Sequence, residues 1–158
     1  MDEKFIMSNL NKKDNMKDVL ISDNKELLDL SLIHQYLSNE SYWAKGISLE
    51  RVKLSIENSL CMGFYLDNKQ IGFCRMVTDY ATFAYLGDVF ILGEFRGFGY
   101  SKALVDKIMN HEKLKGIRRF MLATSDAHNL YSKFDFKALK KPELFMEINK
   151  PNIYQNKK

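Results

Sequence analysis

Cysteine and proline are almost missing from this chain, at two residues each in 158. Cys61 and Cys74 have no further cysteines beside them, so neither the paired spacing of a zinc site nor a disulfide framework can be built. No metal is expected, and a reducing, cytoplasmic setting is. Both cysteines lie in apolar, strand-like runs and read as small core residues. Long hydrophobic runs are missing too: none approaches the roughly 18 apolar residues that span a bilayer, and no membrane partner is expected. The opening Met-Asp-Glu-Lys lacks the basic-then-apolar profile of a secretory signal. Charge of one sign is also scarce. Lys and Arg total 24 against 20 acidic residues, a net +4, without the concentrated basic face that nucleic-acid binding uses. The three histidines, His34, His111 and His128, form no metal-ligating set with any carboxylate or thiol.

What is present is apolar material, 46% hydrophobic and 13% aromatic, enough for one core and one domain at this length. Residues 1–17 are polar and read as a flexible leader, 18–150 as the domain, and 151–158 as a polar tail. Val19–Ile21 reads as a short strand. Leu30, Ile33, His34 and Leu37 mark an amphipathic helix, followed by a loop over Ser38–Gly46. Ser48 is placed to N-cap a second helix carrying Leu49, Val52, Ile56 and Leu60. Met62–Leu66 and Ile71–Thr78 read as a hairpin turning at Asp67–Gln70, and Tyr85–Leu92 as the next strand. A helix from Gly99 to His111, a strand Arg119–Ala123 and a short helix Ala127–Phe134 follow. Phe136–Leu139 and Leu144–Ile148 read as closing strands. The order implies a mixed α/β fold with one mostly antiparallel central sheet flanked by helices.

The most informative stretch runs from Asp88 to Leu104. An apolar run ends at Leu92, a short turn carries Arg96, Gly97 and Gly99, and Tyr100, Ala103, Leu104 and Ile108 then recur at helical spacing. A strand, a Gly-rich turn and a helix N-terminus in this order present free backbone N–H groups at the positive end of the helix dipole, which suits phosphate. The same glycines would also serve an ordinary tight turn.

Arg96-Gly97-Phe98-Gly99-Tyr100-Ser101 resembles the acetyl-CoA signature Arg/Gln-x-x-Gly-x-Gly/Ala of the GNAT N-acetyltransferase family. Downstream, Ala127-His-Asn-Leu-Tyr-Ser-Lys-Phe-Asp-Phe136 is similar to that family's Ala-x-x-Leu-Tyr-x-x-x-Gly-Phe segment. The likeness in element order extends from Val19 to Ile148. There are departures: Gly93 stands where Pro is frequent, Ser101 replaces the last Gly/Ala, Thr124 replaces a frequent Asn, and Asp135 replaces a Gly. Asp is among the few residues that tolerate a positive φ.

The resemblance implies a GNAT-like fold and transfer of an acetyl group from acetyl-CoA to the amine of a small molecule, by direct attack in a ternary complex. Alternatives are a non-catalytic acyl-CoA-sensing domain and acetylation of a polypeptide amine. It implies that the backbone of Val89, Phe90 and Ile91 pairs with the pantetheine arm. The amides from Arg96 through Gly97, Phe98, Gly99 and Tyr100 to Ser101 would hold the pyrophosphate, with Arg96 and Lys102 as candidate charge partners. Tyr131 aligns with the tyrosine that protonates the departing thiolate, or else packs in the core. Asp88 is a candidate base or a carboxylate bonded to its neighbours; Glu40, Asp79 and Glu94 are weaker candidates. Tyr42 and Trp43 could box an amine by cation–π contact or plug their loop, and Tyr80 and Phe83 could close the same pocket. Whether the chain is a monomer or a homodimer is left open.

Overall fold

The computed structural model describes residues 18–155; the expected leader, 1–17, and the last residues of the tail, 156–158, lie outside them. Five strands form one sheet in chain order: β1 (Val19–Ser22), β2 (Leu60–Leu66), β3 (Lys69–Thr78), β4 (Phe83–Ile91) and β5 (Arg119–Met121). The first four are antiparallel, and β5 lies parallel to β4. The β2–β3 hairpin turns on Asp67 and Asn68, with φ of 48° and 63°. Two left-handed residues give the turn whose twist matches the strands, so Lys69 and Gln70 belong to β3 rather than to the expected four-residue turn.

Helix α1 (Leu30–Gln35) starts at Asp29, whose carboxylate accepts from the Leu32 N–H at 3.0 Å. It continues as a wider π-type turn over Tyr36–Glu40, which buries Tyr36 and Leu37. The expected loop therefore begins at Ser41. Ser48 caps α2 (Leu49–Glu57) as its sequence signal implies. A parallel strand pair needs a crossover, supplied by α3 (Tyr100–Met109). Helix α4 (His128–Tyr131) runs on as a tighter turn over Ser132–Phe134 and stops at Asp135, whose φ is 65°.

Strand side chains alternate between faces, and the two faces carry separate cores. On one, Met62, Phe64, Cys74, Met76 and Leu86 pack beneath Leu104, Val105 and Ile108 of α3 and against Tyr131. On the other, Cys61, Phe73 and Phe90 pack beneath Ile33 and Leu37 and beneath Val52 and Ile56 of α2. The two cysteines are thus buried, free and on opposite faces.

The two closing strands do not form. Residues 136–139 and 145–148 belong to no strand, Leu144 ends a 3-10 turn over Pro142–Leu144, and β5 remains at the sheet's edge. Alternation of Leu144, Met146 and Ile148 is a genuine strand pattern. A pattern becomes a strand only where a neighbour comes within hydrogen-bonding reach, and here a groove lies between residues 137–145 and β5. The tail also differs from the expected polar end: Tyr154 packs against the second core, with the Arg51 guanidinium 5.9 Å from its ring centroid. No helix among the described residues is long and apolar enough to cross a membrane.

Leu104 is fully buried and fixes α3 to the sheet. Leu104→Ala is expected to lower the unfolding free energy by about 3 kcal/mol, measured by urea denaturation. A loss below about 1 kcal/mol would mean that α3 is not held by this side chain.

Candidate functional site

The site begins where two strands part. β4 and β5 pair only at Phe83–Arg119, Ala84–Phe120 and Tyr85–Met121. Beyond Tyr85, β4 continues to Ile91 with no strand on that side. Within this unpaired stretch, Phe73 faces Phe90 and Arg75 faces Gly87, so Cys74 alone stands opposite Asp88 and Val89. The extra residue is a bulge, which bends its strand. Asp88 sits there at φ 51°, in the left-handed region that few non-glycine residues occupy.

Register decides what the open edge offers. The Leu92 N–H donates to the Ile71 carbonyl at 2.8 Å. Antiparallel pairs alternate between bonded and non-bonded, so Ile91, opposite Gly72, turns its N–H and C=O away from β3 and into the gap. Val89, two residues back, does the same. The side chains of Phe90 and Ile91 are buried in opposite cores, and the edge presents main chain.

The turn after β4 holds the second set of donors. The Arg96 amide donates to the Gly93 carbonyl at 3.2 Å, and the first bond back from α3 runs from the Ala103 N–H to Gly99 at 3.2 Å. Between them, the N–H groups of Gly97 through Lys102 have no protein acceptor. Of the expected row from Arg96 to Ser101, the Arg96 amide is bonded to Gly93 and the others are free. Gly97 and Gly99 have φ of 85° and 83°, and a Cβ at either would meet nothing within 4 Å. Glycine is needed there for the hand of the backbone, not for room, and the cradle is open. Phe98 is exposed and stacks on Tyr100 at 5.8 Å between centroids, and Tyr100 packs on Phe64 at 5.0 Å. Ser101 and Lys102 lie in the first turn of α3.

The Arg96 side chain is not free for charge pairing. Its Nε donates to the Ile91 carbonyl at 3.0 Å and its Nη2 to the Tyr36 hydroxyl at 2.9 Å. Tyr36 in turn stacks on Phe90 at 3.8 Å. Arg96 pins the turn to the open edge of β4. A groove of about 500 Å³ lies beside it, with Asp29, Glu40 and Glu94 among its walls.

Asp88 is likewise engaged. Its Oδ1 accepts from the Trp43 indole at 2.8 Å, and its Oδ2 pairs with the Arg75 Nε. Arg75 also donates to the Ser59 hydroxyl at 3.2 Å. Asp88 was expected as a candidate base or as a carboxylate bonded to its neighbours, and the structure shows it bonded to a guanidinium and an indole. Arg75 escaped the sequence reading; its signal was a lone cation inside the apolar β3. Asp79 is a turn residue: it accepts from the N–H groups of Ala81, Thr82 and Phe83, and these bonds with the Thr82 hydroxyl hold its carboxyl far below the usual range.

Tyr42 and Trp43 meet edge to face at 5.0 Å. Trp43 reaches β4 through Asp88, while the Tyr42 hydroxyl accepts from Ser125 at 2.8 Å, in the segment between β5 and α4. The α1–α2 loop therefore bridges the mouth of the gap. Tyr131 lies on the other face of the sheet, 8% exposed, with its ring edge-on to Phe136 at 6.1 Å. Burial pushes its phenol up to about 12, helped by Cys74, Tyr42 and Asp126 nearby. Tyr80 and Phe83 are not part of this group. Phe83 opens β4 and Tyr80 lies in the turn before it; Phe83 is five residues before Asp88, a distance of about 16 Å along a strand. His34 bonds the Ile47 carbonyl at 3.0 Å and His111 pairs with Asp23 at 3.0 Å, both structural. No group of three metal-ligating side chains occurs among the described residues.

The chain matches the model of the Acetyltransferase (GNAT) family over residues 30–136. It is 32% identical over 151 residues to a candidate acetyltransferase of Gibberella zeae, covering 80% of this chain and 84% of that one. A solved Xanthomonas campestris pv. campestris protein, a candidate acetyltransferase of the GNAT family, is 51% identical with a TM-score of 0.85, covering 87% and 97% of the two chains. A Clostridium acetobutylicum protein solved with acetyl-CoA shares the fold alone, at 18% identity and a TM-score of 0.58 over 85% and 96%.

Burial holds the phenols of both Tyr131 and Tyr65 at about 12, whereas unfolded tyrosine ionises near 10. Above pH 10 the unfolded chain therefore binds fewer protons than the folded one. Stability fully present below pH 10 should fall as pH rises toward 12, read from melting temperature against pH. Tyr131→Phe should flatten part of that fall; an unchanged slope would show that Tyr131 is not the group responsible.

Proposed function

Because the chain belongs to the acetyltransferase (GNAT) family, we propose that it is an N-acetyltransferase moving the acetyl group of acetyl-CoA to the amine of a small molecule. The observation that carries this reading is the open row of amides from Gly97 to Lys102, set at the start of α3 beside the unpaired edge of β4. A diphosphate fits it: the donors are unsatisfied, the helix dipole favours an anion and no side chain fills the space. The thioester arm then runs along β4 as an added strand, toward the gap where Ile91 turns its N–H.

The amine attacks the thioester carbonyl directly. A C–N bond forms, the C–S bond breaks, and the amine's proton leaves to solvent at the mouth of the gap. The Ile91 N–H faces the carbonyl oxygen as it gains charge. Tyr131 gives its phenolic proton to the departing sulfur and recovers one from solvent. Its high pKa does not disqualify it, because burial raises a thiol's pKa as well, as it does for the neighbouring Cys74. Asp88, tied to Trp43 and Arg75, shapes the acceptor's wall rather than removing the proton. The carboxylate-lined groove beside the turn supports a cationic, small acceptor.

The test is thiol release from acetyl-CoA across a panel of polyamines, aminoglycosides, arylalkylamines and amino acids. Turnover that depends on one amine class is expected. Tyr131→Phe should lower kcat by about 10²-fold or more with little change in KM for acetyl-CoA; a wild-type rate would remove Tyr131 as the acid. No amine-dependent release, with binding intact, would leave a non-catalytic domain. Gly99→Ala forces a Cβ into a left-handed position and tilts the cradle. It should weaken coenzyme A binding by about tenfold, roughly 1.4 kcal/mol, in calorimetry. An unchanged affinity would place the diphosphate elsewhere.

A further inference from the structure

The sheet face that carries the second core is covered over only part of its length. Phe73 and Phe90 lie beneath α1 and α2. Two residues on along β3, on the same face, Arg75 reaches across to Asp88 and Ser59. Beyond Arg75 that face carries Val77, opposite Tyr85 of β4, with Phe83 two residues further out. Val77, Phe83 and Tyr85 are 41%, 39% and 37% exposed. A row of large apolar side chains therefore runs outward from the gap, open to solvent.

Gly87 stands at the inner end of this row. It lies inside β4, opposite Arg75 and next to Asp88, within the stretch that has parted from β5. Glycine weakens a strand interior, and where it occurs there it marks a bulge, a tight bend, or the close approach of a ligand or another backbone. The bulge falls on Asp88 and Val89, and Asp88, not Gly87, takes the left-handed conformation. A Cβ at Gly87 would touch only the Tyr85 ring, at 3.5 Å, so no other backbone crowds the position. What glycine leaves is a hollow in the floor, with the Tyr85 ring leaning along the strand as its wall. Trp43, 39% exposed, is held at the same end by its bond to Asp88.

The charges of this face are already engaged. Arg75 pairs with Asp88, and the Arg119 guanidinium, beside Phe83 at the outer end, lies 5.1 Å from the Phe145 ring centroid. Asp88 is the sole carboxylate among the paired residues of β3, β4 and β5 beyond Phe73. A molecule with several cations finds no row of partners here. A flat apolar body does, because the floor is glycine and the walls are aromatic and aliphatic.

We infer that the acceptor is an arylalkylamine, its ring in the Gly87 hollow against Tyr85 and Val77 and its amine directed along β4 into the gap. This names the substrate class for the acyl-transfer reading and rests on it. Covering the ring and the exposed side chains with one another removes apolar surface from water, and the single amine is the only charge brought in.

One measurement needs no turnover. Trp43 is the only tryptophan of the chain, so its fluorescence should change saturably when phenylalkylamines of increasing linker length are added to the protein with coenzyme A present. Spermidine and glycine should leave it unchanged. Gly87→Ala fills the hollow at an ordinary strand φ, and Tyr85→Ser removes the wall from an exposed position. Both should keep the wild-type circular dichroism and raise the Kd for the best phenylalkylamine by about tenfold. In thiol release from acetyl-CoA, either variant should lower the ratio of kcat/KM for that amine to kcat/KM for ethylamine by a similar factor, through KM. A Trp43 response to spermidine or glycine in place of phenylalkylamines overturns the inference, as does an unchanged Kd in both variants. Turnover confined to polyamines or amino acids overturns it while leaving the N-acetyltransferase reading standing. A saturable, variant-sensitive response to phenylalkylamines without thiol release from any amine keeps the apolar site and removes acyl transfer instead.

Discussion

The site depends on β4 and β5 ceasing to pair after Tyr85. A parallel pair that continued would bury the Ile91 and Val89 edge in hydrogen bonds and leave nothing for a ligand's main-chain groups to engage. The bulge at Asp88 and Val89 bends β4 at this point, and Asp88 takes a left-handed backbone to make it. Such a conformation persists only when the surroundings over-determine it. Here the Asp88 carboxylate is clasped by Arg75 from β3 and Trp43 from the α1–α2 loop.

Both conspicuous arginines serve the scaffold rather than the ligand. Arg96 stretches back to the Ile91 carbonyl and Tyr36, fixing the turn so that the amides after it face outward. Arg75 neutralises Asp88 while holding Ser59 at the start of β2. With these side chains committed, what the turn offers to the proposed diphosphate is oriented backbone dipoles. Those need no side-chain ordering when a ligand arrives. The aromatic pair Tyr42–Trp43 spans the gap by one bond to each side, to Asp88 of β4 and to Ser125 in the segment after β5.

Much of this was legible in the residues. Gly97 and Gly99 announced left-handed backbone, Ser48 announced a cap, and Asp135 proved able to hold the positive φ that its position demands. Other features were not legible. The Arg75–Asp88 pair joins two strands through a bulge, and a bulge has no local sequence signature because it exists only in the register between strands. Phe83 and Tyr80 were expected to close the pocket of Tyr42 and Trp43 because they flank β4, but a strand carries its first residues far from its last. Leu144, Met146 and Ile148 read as a strand because alternation reports a propensity, while pairing requires a neighbour within hydrogen-bonding reach, and a groove lies between residues 137–145 and β5.

The sequence implied one core, and the structure divides it into two, one on each face of the sheet. The sequence by itself determined the order of elements and the Gly-rich turn at the head of α3. Each of these follows from periodicity or from the φ angles that particular residues permit. Tertiary structure alone decided which amides are left without acceptors, which edge of β4 is open, and that Asp88 is already spoken for. These are matters of register and distance between segments remote in the chain. A hydrogen bond between them exists only once the whole sheet has been assembled.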